Sequence, residues 1–192
     1  FEHAFETMDK LAADPAGKPF FSTILTITTH PPFIIPAFSK FKPRSTDPVE
    51  ITYEYTDWAI HNFIESCAQK PWYNNTVFVF VGDHGVNIPG PYDVPLSYNH
   101  VPLIIHAPGL FNKPEVRHQL ANQTDIFPTI MGLVRQDYVQ NTLGYDLFQE
   151  QRPFSFFSQD HKMGIVNDRF LYVARKSGKE TLIDYRSGSY ED

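Results

Sequence analysis

The chain has 192 residues, of which 42% are hydrophobic and 15% aromatic, so it can fold around a core and lacks the composition of a disordered chain. Its formal charge of −6 argues against a broad basic surface and so excludes nucleic acid as an expected partner. The single cysteine, Cys67, excludes an internal disulfide but leaves the redox compartment open.

The N-terminal segment has a helical pattern, because Phe1, Phe5, Met8 and Leu11 recur at helical spacing. The chain opens inside this pattern and without an initiator Met, so we expect further sequence, and functional residues with it, upstream of Phe1. No apolar run approaches the roughly 20 residues that a membrane span needs.

Three segments follow the turn sequence at Asp14–Gly17. Pro19–Thr28 is rich in Phe, Ile and Thr and is predicted to be a buried strand. Prolines interrupt Phe33–Pro48, which indicates a long loop without regular structure. Val49–Gln69 is predicted to be a helix whose apolar stripe consists of Tyr53, Thr56, Ile60, Phe63 and Ile64.

Two strands and a helix come next. Thr76–Val81 reads TVFVFV, and such an apolar run is typical of a strand covered on both faces, as in a parallel sheet. Val101–His106 has the same character. Thr124 is positioned to cap a helix that ends near Val134, with Asp125 in its first turn. The order strand, helix, strand, strand, helix predicts an α/β layered fold.

The tail has a different pattern, in which short runs of β-forming residues alternate with turn sequences. It is predicted to form an antiparallel strand meander over Phe154–Ser158, Lys162–Val166, Phe170–Arg175 and Thr181–Tyr185. We expect this meander to be an appendage on the sheet without a separate core. The chain is therefore expected to be a portion of one domain, with a sheet-helix core over residues 1–134 and a strand-rich subregion over residues 135–192.

The tetrapeptide Gly82-Asp83-His84-Gly85 directly follows the predicted strand TVFVFV. In open α/β sheets, ligands bind just beyond the carboxyl ends of the strands. The flanking glycines allow a sharp turn that aims both side chains at one point, and a carboxylate with an imidazole suits Mn²⁺, Zn²⁺ or a similar divalent ion. The alternative is a capped turn in which the carboxylate of Asp83 binds only local backbone amides.

Three histidines lie at predicted strand ends or loop ends. His30 follows the predicted strand Pro19–Thr28 and is a candidate to bind a phosphoryl oxygen or donate a proton, with a structural role as the alternative. His100 closes the loop Val86–His100, a candidate substrate wall that contains Pro89, Gly90, Pro91, Pro95, Tyr98 and Asn99. A capping role for His100 is equally compatible with this position. His106 is expected to be structural.

A basic stretch in the long loop has Lys40, Lys42 and Arg44 interleaved with Phe38 and Phe41. This pattern is compatible with an anionic head group bound next to an apolar tail. A solvated basic loop is the favoured interpretation.

Five sequence blocks, in this order, resemble the lipoteichoic acid synthase-like branch of the sulfatase family, within the alkaline phosphatase superfamily. The blocks are PFFSTILTITTHPPF, YTDWAIHNFIE, NNTVFVFVGDHG, HVPLIIHAPG and QTDIFPTIMGL, and the resemblance extends over roughly residues 1–134. GDHG by itself is moderately specific, whereas five ordered blocks are a strong signal. The resemblance implies part of a layered alkaline-phosphatase/sulfatase-like α/β sheet.

The resemblance also implies roles for particular residues. Asp83 and His84 match the pair that ligates the catalytic metal, which is usually Mn²⁺ in the phosphoglycerol transferases and Ca²⁺ in sulfatases, with Mg²⁺ and Zn²⁺ as further alternatives. His30 matches a histidine that contacts the transferred group. Asp57 and Asp125 fall on motif positions expected to be structural.

The family's nucleophile and a further acidic metal ligand are expected upstream of Phe1, and Cys67 lacks the sequence context of a sulfatase nucleophile. The implied function of the full-length parent is metal-dependent phosphoglycerol transfer or sulfatase-type ester cleavage, on an anionic phospholipid head group or a sulfate or phosphate ester. The parent is expected to be membrane-anchored through N-terminal segments, with this domain outside the cytoplasm.

The chain alone is expected to be inactive and to self-associate through exposed apolar surface. Two alternatives stay open at this point. The first is a hydrolase of soluble sulfate esters or phosphodiesters, and the second is a non-catalytic binding or structural domain of the same fold.

Overall fold

The structure is a computed structural model, and it describes residues 1–88, 94–187 and 189–191. The chain divides into two compact units. Unit 1 consists of Phe1–Thr76 with Ala107–Leu110, and unit 2 consists of Val77–His106 with Phe111–Asp192. No helix in the described part of the chain combines the length and the apolar character that crossing a membrane requires.

Unit 1 is built on two helices, α1 (Glu2–Ala12) and α2 (Pro48–Ala68), which pack against each other. The buried side chains at this packing include Met8, Phe63 and Cys67. A hydrogen-bonded ion pair supports it, because the Nζ atom of Lys70 lies 2.7 Å from the Oδ2 atom of Asp9.

Helix α2 confirms the prediction for Val49–Gln69 within one residue at each end. It begins where it does because the Asp47 side chain accepts hydrogen bonds from two backbone amides and Pro48 occupies the first turn. Within the predicted apolar stripe Phe63 is buried, whereas Tyr53 is 46% exposed and the fully buried Thr52 was not predicted.

The segment between α1 and α2 contains no strand, so the prediction of a buried strand over Pro19–Thr28 is wrong. Phe21, Leu25 and Ile27 are 82%, 80% and 77% exposed. In the described residues no other strand pairs with this segment, and a β-forming sequence without a partner has no ladder to join. The long loop predicted over Phe33–Pro48 is confirmed up to Asp47.

Unit 2 contains a two-stranded sheet of β1 (Phe78–Val81) and β2 (Leu103–His106). Both strands were predicted, but their pairing is antiparallel, with Phe78 opposite His106 and Val81 opposite Leu103. The expected parallel pairing with cover on both faces is therefore wrong for this pair, and Val81 is 43% exposed. A short helix, α3 (Leu96–Asn99), precedes β2.

Helix α4 (Ile126–Val134) follows a 3₁₀ turn at Gln123–Asp125. The cap is Asn122 rather than the predicted Thr124. The Asn122 side chain accepts a hydrogen bond from the Thr124 backbone amide at 3.1 Å, and Asp125 Oδ2 accepts one from the Asn122 amide at 2.7 Å. This reciprocal capping box satisfies amides that the first turn would otherwise leave unpaired.

Asp125 is fully buried and forms an ion pair with the buried Arg152. The Nε atom of Arg152 donates to Asp125 Oδ2 at 3.0 Å, Nη2 donates to Oδ1, and Nη2 also donates to the Leu143 carbonyl at 2.7 Å. The backbone amide of Tyr145 completes the set, donating to Asp125 Oδ1 at 2.8 Å. Asp125 is thus structural, as expected.

The tail forms a five-stranded antiparallel sheet in the order β3-β4-β5-β6-β7. The strands are β3 (Ser155–Gln159), β4 (Lys162–Val166), β5 (Phe170–Arg175), β6 (Glu180–Asp184) and β7 (Ser189–Glu191). The predicted four-stranded meander is confirmed, and β7 was missed. Leu171, Val173 and Ile183 form a buried cluster with Val94, so the apolar side chains of the tail pack with a residue from the segment before α3.

Candidate functional site

The turn Gly82–Gly85 carries two exposed metal-ligand types directly after β1. The side chains of Asp83 and His84 are 77% and 50% exposed, and His84 Nε2 lies 3.8 Å from Asp83 Oδ2. Asp83 Oδ1 accepts a hydrogen bond from the His84 backbone amide at 2.8 Å. One carboxylate oxygen of Asp83 thus binds a local amide, as in the capped-turn alternative, and the other lies near the imidazole. The role of the pair as metal ligands stays a prediction.

The imidazole of His84 is held in place on two sides. Its Nδ1 atom lies 2.9 Å from the Gly85 carbonyl oxygen, which assigns the proton to Nδ1 and the lone pair to Nε2. The ring stacks on Tyr98 of α3, with centroids 4.6 Å apart and planes 17° from parallel. Metal-ligating histidines generally donate their other ring N–H to an acceptor of this kind, so the arrangement is compatible with a metal ligand.

Close backbone approach explains why glycine occupies position 85. A Cβ atom added there would lie 2.1 Å from the Ser97 carbonyl oxygen, far inside contact distance. The Gly85 amide also donates to the Tyr98 carbonyl at 2.7 Å, so α3 is bound directly to the turn. Glycine is the residue that permits such an approach.

The side chain of Gln123, in the 3₁₀ turn before α4, also holds the turn Gly82–Gly85. Its side-chain Nε2 donates to the Gly82 carbonyl at 2.8 Å and to the Asp83 carbonyl at 2.9 Å. Sequence reasoning missed this residue. The available signal was the block QTDIFPTIMGL, in which Gln123 directly precedes the recognised helix start.

His100 lies near the turn through its backbone. Its amide donates to the Leu96 carbonyl at 2.8 Å, and its carbonyl oxygen would lie 3.4 Å from a Cβ atom at Gly85. Its side chain is exposed. The predicted loop Val86–His100 is partly wrong because α3 occupies its C-terminal end, and Pro89, Gly90 and Pro91 of that loop lie outside the described residues.

His30 belongs to unit 1, whereas Asp83, His84 and His100 belong to unit 2. Its side chain is exposed, and its Nδ1 atom lies 3.0 Å from the Pro31 carbonyl oxygen. The strand that was predicted to end at His30 is absent, so its interpretation as a strand-end residue is wrong. Its role toward a substrate stays a prediction. His106 contacts the Phe78 ring across the β1–β2 pair.

A profile of the sulfatase family matches residues 2–136, which is more than half of the chain. This chain belongs to the sulfatase family. The predicted family is thereby confirmed.

Three bacterial relatives of this sulfatase-family chain illustrate its place in the family. The lipoteichoic acid synthase-like protein YvgJ of Bacillus subtilis is 30% identical over 61% of this chain and 22% of the relative. Lipoteichoic acid synthase 1 of the same organism is 28% identical over 95% of this chain and 30% of the relative. Lipoteichoic acid synthase of Staphylococcus aureus is 28% identical over 76% of this chain and 26% of the relative. The chain thus spans less than a third of the length of these relatives.

Among solved structures, the chain is similar to a protein in the alkaline phosphatase superfamily from Vibrio parahaemolyticus. The TM-score is 0.86 at 23% identity, and the match covers 99% of this chain and 47% of that chain. This likeness shows the alkaline phosphatase superfamily fold and confirms the predicted fold class, including the C-terminal antiparallel strands.

Asp83 and His84 of this sulfatase-family chain fit a divalent ion in donor chemistry. Two metal–ligand bonds of about 2.1 Å each can span the 3.8 Å between Asp83 Oδ2 and His84 Nε2. The set is incomplete, because the described residues contain no cluster of three or more His, Cys, Asp or Glu side chains that could hold a metal ion. Catalytic metal sites generally use three protein ligands and an open position.

Proposed function

We propose that this chain supplies part of the metal site of a phosphoglycerol transferase of the lipoteichoic acid synthase kind, with Asp83 and His84 as ligands. The observation that carries the proposal is the orientation of His84. Its Nδ1–H is used on the Gly85 carbonyl, and its Nε2 lone pair is left next to an exposed carboxylate oxygen of Asp83. Relatives named as lipoteichoic acid synthases support the reaction class.

The proposed ion is Mn²⁺, and when bound it would stabilise negative charge on the oxygens of the transferred phosphoryl group. Asp83 would supply a carboxylate oxygen and His84 its Nε2 atom. The ring of Tyr98 stacks on His84 and the side chain of Gln123 donates to the Gly82 carbonyl, and both contacts fix the turn. We assign His30 to the transferred group, as a hydrogen-bond donor to its oxygens, and His100 to the substrate.

The proposed substrate is the anionic head group of a phospholipid, and the proposed location is the extracytoplasmic side of the cell membrane. Both proposals rest on the similarity of this chain to lipoteichoic acid synthases. Because the chain spans only 22–30% of these relatives, we propose that it acts within a larger catalytic domain.

Metal binding is tested on the chain itself by NMR with Mn²⁺, whose unpaired electrons broaden nearby amide signals. We expect broadening centred on Asp83, His84 and Gly85 at weak affinity, because only two protein ligands are available among the described residues. Asp83→Ala removes one ligand and should abolish the local broadening. Asp168→Ala is the matched control, since it deletes an exposed carboxylate elsewhere in unit 2. Broadening that is unchanged in Asp83→Ala would refute the assignment of the ligand.

Activity is tested in the complete catalytic domain that carries this chain, with phosphatidylglycerol, an aryl phosphodiester and an aryl sulfate as substrates. Asp83→Ala is expected to lose turnover at limiting Mn²⁺, and His30→Ala is expected to lose turnover with Mn²⁺ affinity little changed. Loss of Mn²⁺ binding in His30→Ala would make His30 a metal ligand instead. Preferential cleavage of the aryl sulfate would favour the hydrolase alternative over the transferase.

The chain alone is expected to show no turnover on any of these substrates, because two ligands do not make a complete catalytic site. Metal-dependent turnover of the isolated chain that disappears in Asp83→Ala would contradict this. Self-association also stays a prediction, supported by the exposed apolar side chains of Phe21, Leu25 and Ile27. Sedimentation velocity at several concentrations measures it.

A further inference from the structure

Two adjacent residues of unit 2, Asn122 and Gln123, bind different parts of the unit. The Gln123 side chain donates to the carbonyl oxygens of Gly82 and Asp83, at 2.8 and 2.9 Å. The Asn122 side chain is bound to β3, the edge strand of the tail sheet. This pair therefore connects the turn Gly82–Gly85 with the tail.

The side chain of Asn122 has all its hydrogen-bonding positions in use. Its Nδ2 atom donates to Ser155 Oγ at 3.0 Å and to the Phe156 carbonyl at 2.7 Å. Its Oδ1 atom accepts from the backbone amide and the hydroxyl of Thr124, at 3.1 and 3.0 Å. A primary amide has two donor hydrogens and two acceptor lone pairs, so these bonds saturate it. The side chain cannot change its rotamer without breaking several of them.

Further contacts fix the backbone on both sides of Asn122. The Ser155 hydroxyl donates to the Ala121 carbonyl at 3.1 Å, and the Asn122 amide donates to Asp125 Oδ2 at 2.7 Å. Ser155 and Asp125 are buried, and Asp125 forms its ion pair with Arg152, shortly before β3. Because each buried polar group that moves loses its partner, the backbone that carries Gln123 is rigidly supported from the tail.

The contact of Gln123 with the turn acts on the backbone at Asp83. The carbonyls of Gly82 and Asp83 belong to the two peptide groups that flank the Asp83 Cα atom. Peptide groups are planar, so fixing both carbonyls fixes both backbone torsions of Asp83 and the direction of its side chain. The far end of the turn is held separately, because the Gly85 amide donates to the Tyr98 carbonyl at 2.7 Å.

We propose that Gln123 is the positioning residue of the turn that carries Asp83 and His84, and that Asn122 sets the place of Gln123 from the tail sheet. Its meaning for metal binding rests on the proposed function. The tail supplies no proposed ligand, yet through these two side chains it fixes the geometry of both ligands.

The first measurement needs no metal. It is NMR-detected hydrogen exchange of the Gly85 amide, which is protected while its bond to Tyr98 is closed. Gln123→Met keeps the length of the side chain and removes its donor. We expect exchange to become about fivefold faster, the change that the loss of one ordinary hydrogen bond gives. Gln149→Met is the matched control, since it removes an exposed side-chain amide elsewhere in unit 2.

Asn122→Ser separates the helix cap from the link to the tail. Serine is itself a good N-cap, but its side chain is too short to reach the Phe156 carbonyl. Exchange at Gly85 should again become faster, whereas the amides of α4 should keep their protection. The double variant Asn122→Ser with Gln123→Met should exchange no faster than Gln123→Met, because Asn122 acts through Gln123. Additive effects would overturn the link between the tail and the turn.

Mn²⁺ measures the consequence for the proposed metal site. We expect Gln123→Met to need at least roughly twice the wild-type Mn²⁺ concentration for equal broadening of the amide signals of Asp83 and His84, because an open turn does not hold the two ligands together. Gln149→Met should broaden like the wild type.

The two possible failures give different results. A wild-type exchange rate at Gly85 in Gln123→Met, or equal acceleration in Gln149→Met, would overturn the positioning role of Gln123. Faster exchange in Gln123→Met, together with no local Mn²⁺ broadening in the wild-type chain, would support that role and refute the proposed metal ligands.

Discussion

Replacing Asp125 by Ala should strongly destabilise unit 2. Asp125 is fully buried, and its carboxylate accepts hydrogen bonds from the backbone amides of Asn122 and Tyr145 and from two atoms of Arg152. The change leaves a guanidinium that is only 2% exposed without its counter-charge. Removing one partner of a buried ion pair typically costs about 3–5 kcal/mol, which corresponds to roughly 6–20 °C in Tm for a chain of this size.

The assay is urea unfolding followed by far-UV circular dichroism, with Asp168→Ala as the exposed-carboxylate control. The double variant Asp125→Ala with Arg152→Met removes the unpaired charge as well. It should be no less stable than Asp125→Ala alone, because an apolar replacement of a buried ion pair is often tolerated. The reasoning is refuted if the free energy of unfolding of Asp125→Ala lies within about 1 kcal/mol of the wild-type value. It is also refuted if the effects of Asp125→Ala and Arg152→Met, each measured alone, simply add in the double variant.

Three further predictions concern the turn, the thiol and the helix pair. Gly85→Ala should abolish the local broadening of amide NMR signals by Mn²⁺, because the added Cβ would lie 2.1 Å from the Ser97 carbonyl oxygen and would force the turn at Asp83 and His84 to move. Broadening equal to that of the wild type would contradict this. Burial raises the pKa of Cys67 to about 11, so Ellman's reagent at pH 8 should modify it only after unfolding, and rapid labelling of the native chain would contradict burial. The hydrogen bond from Lys70 lowers the pKa of Asp9 below its usual value of 3.8. The resulting stability is present above pH 3.8 and is lost as the pH falls through the lower native value, so Asp9→Asn should flatten this part of the acid unfolding curve.

Several elements could be predicted because their signals are local. Helix α2 has a capping Asp47 and a proline in its first turn, and both act on amides within three residues. The strands β3 to β6 alternate with turn sequences, and hairpins bring such neighbours together without long connections. The tetrapeptide at Asp83 and His84 was recognised for the same reason, since both ligand types and both glycines are adjacent.

Other features depended on partners far away in the sequence. Pro19–Thr28 has the composition of a strand, yet composition cannot show whether a neighbouring strand is available, and in the described residues none is. The prediction of parallel pairing was wrong for a related reason, because an apolar run does not determine whether its neighbouring strand is parallel or antiparallel, and β1 and β2 are antiparallel.

The sequence by itself determined the family, the helices α1, α2 and α4, the strands β3 to β6 and the adjacent carboxylate and imidazole of the turn, because periodicity, capping and motif order act over short stretches. Only the tertiary structure decided which distant residues complete them. Arg152 reaches Asp125 across 27 positions, and Gln123 reaches the carbonyl of Gly82 across 41. These contacts form because a buried charge and a backbone carbonyl need partners in space, and no local pattern specifies which residue will supply them.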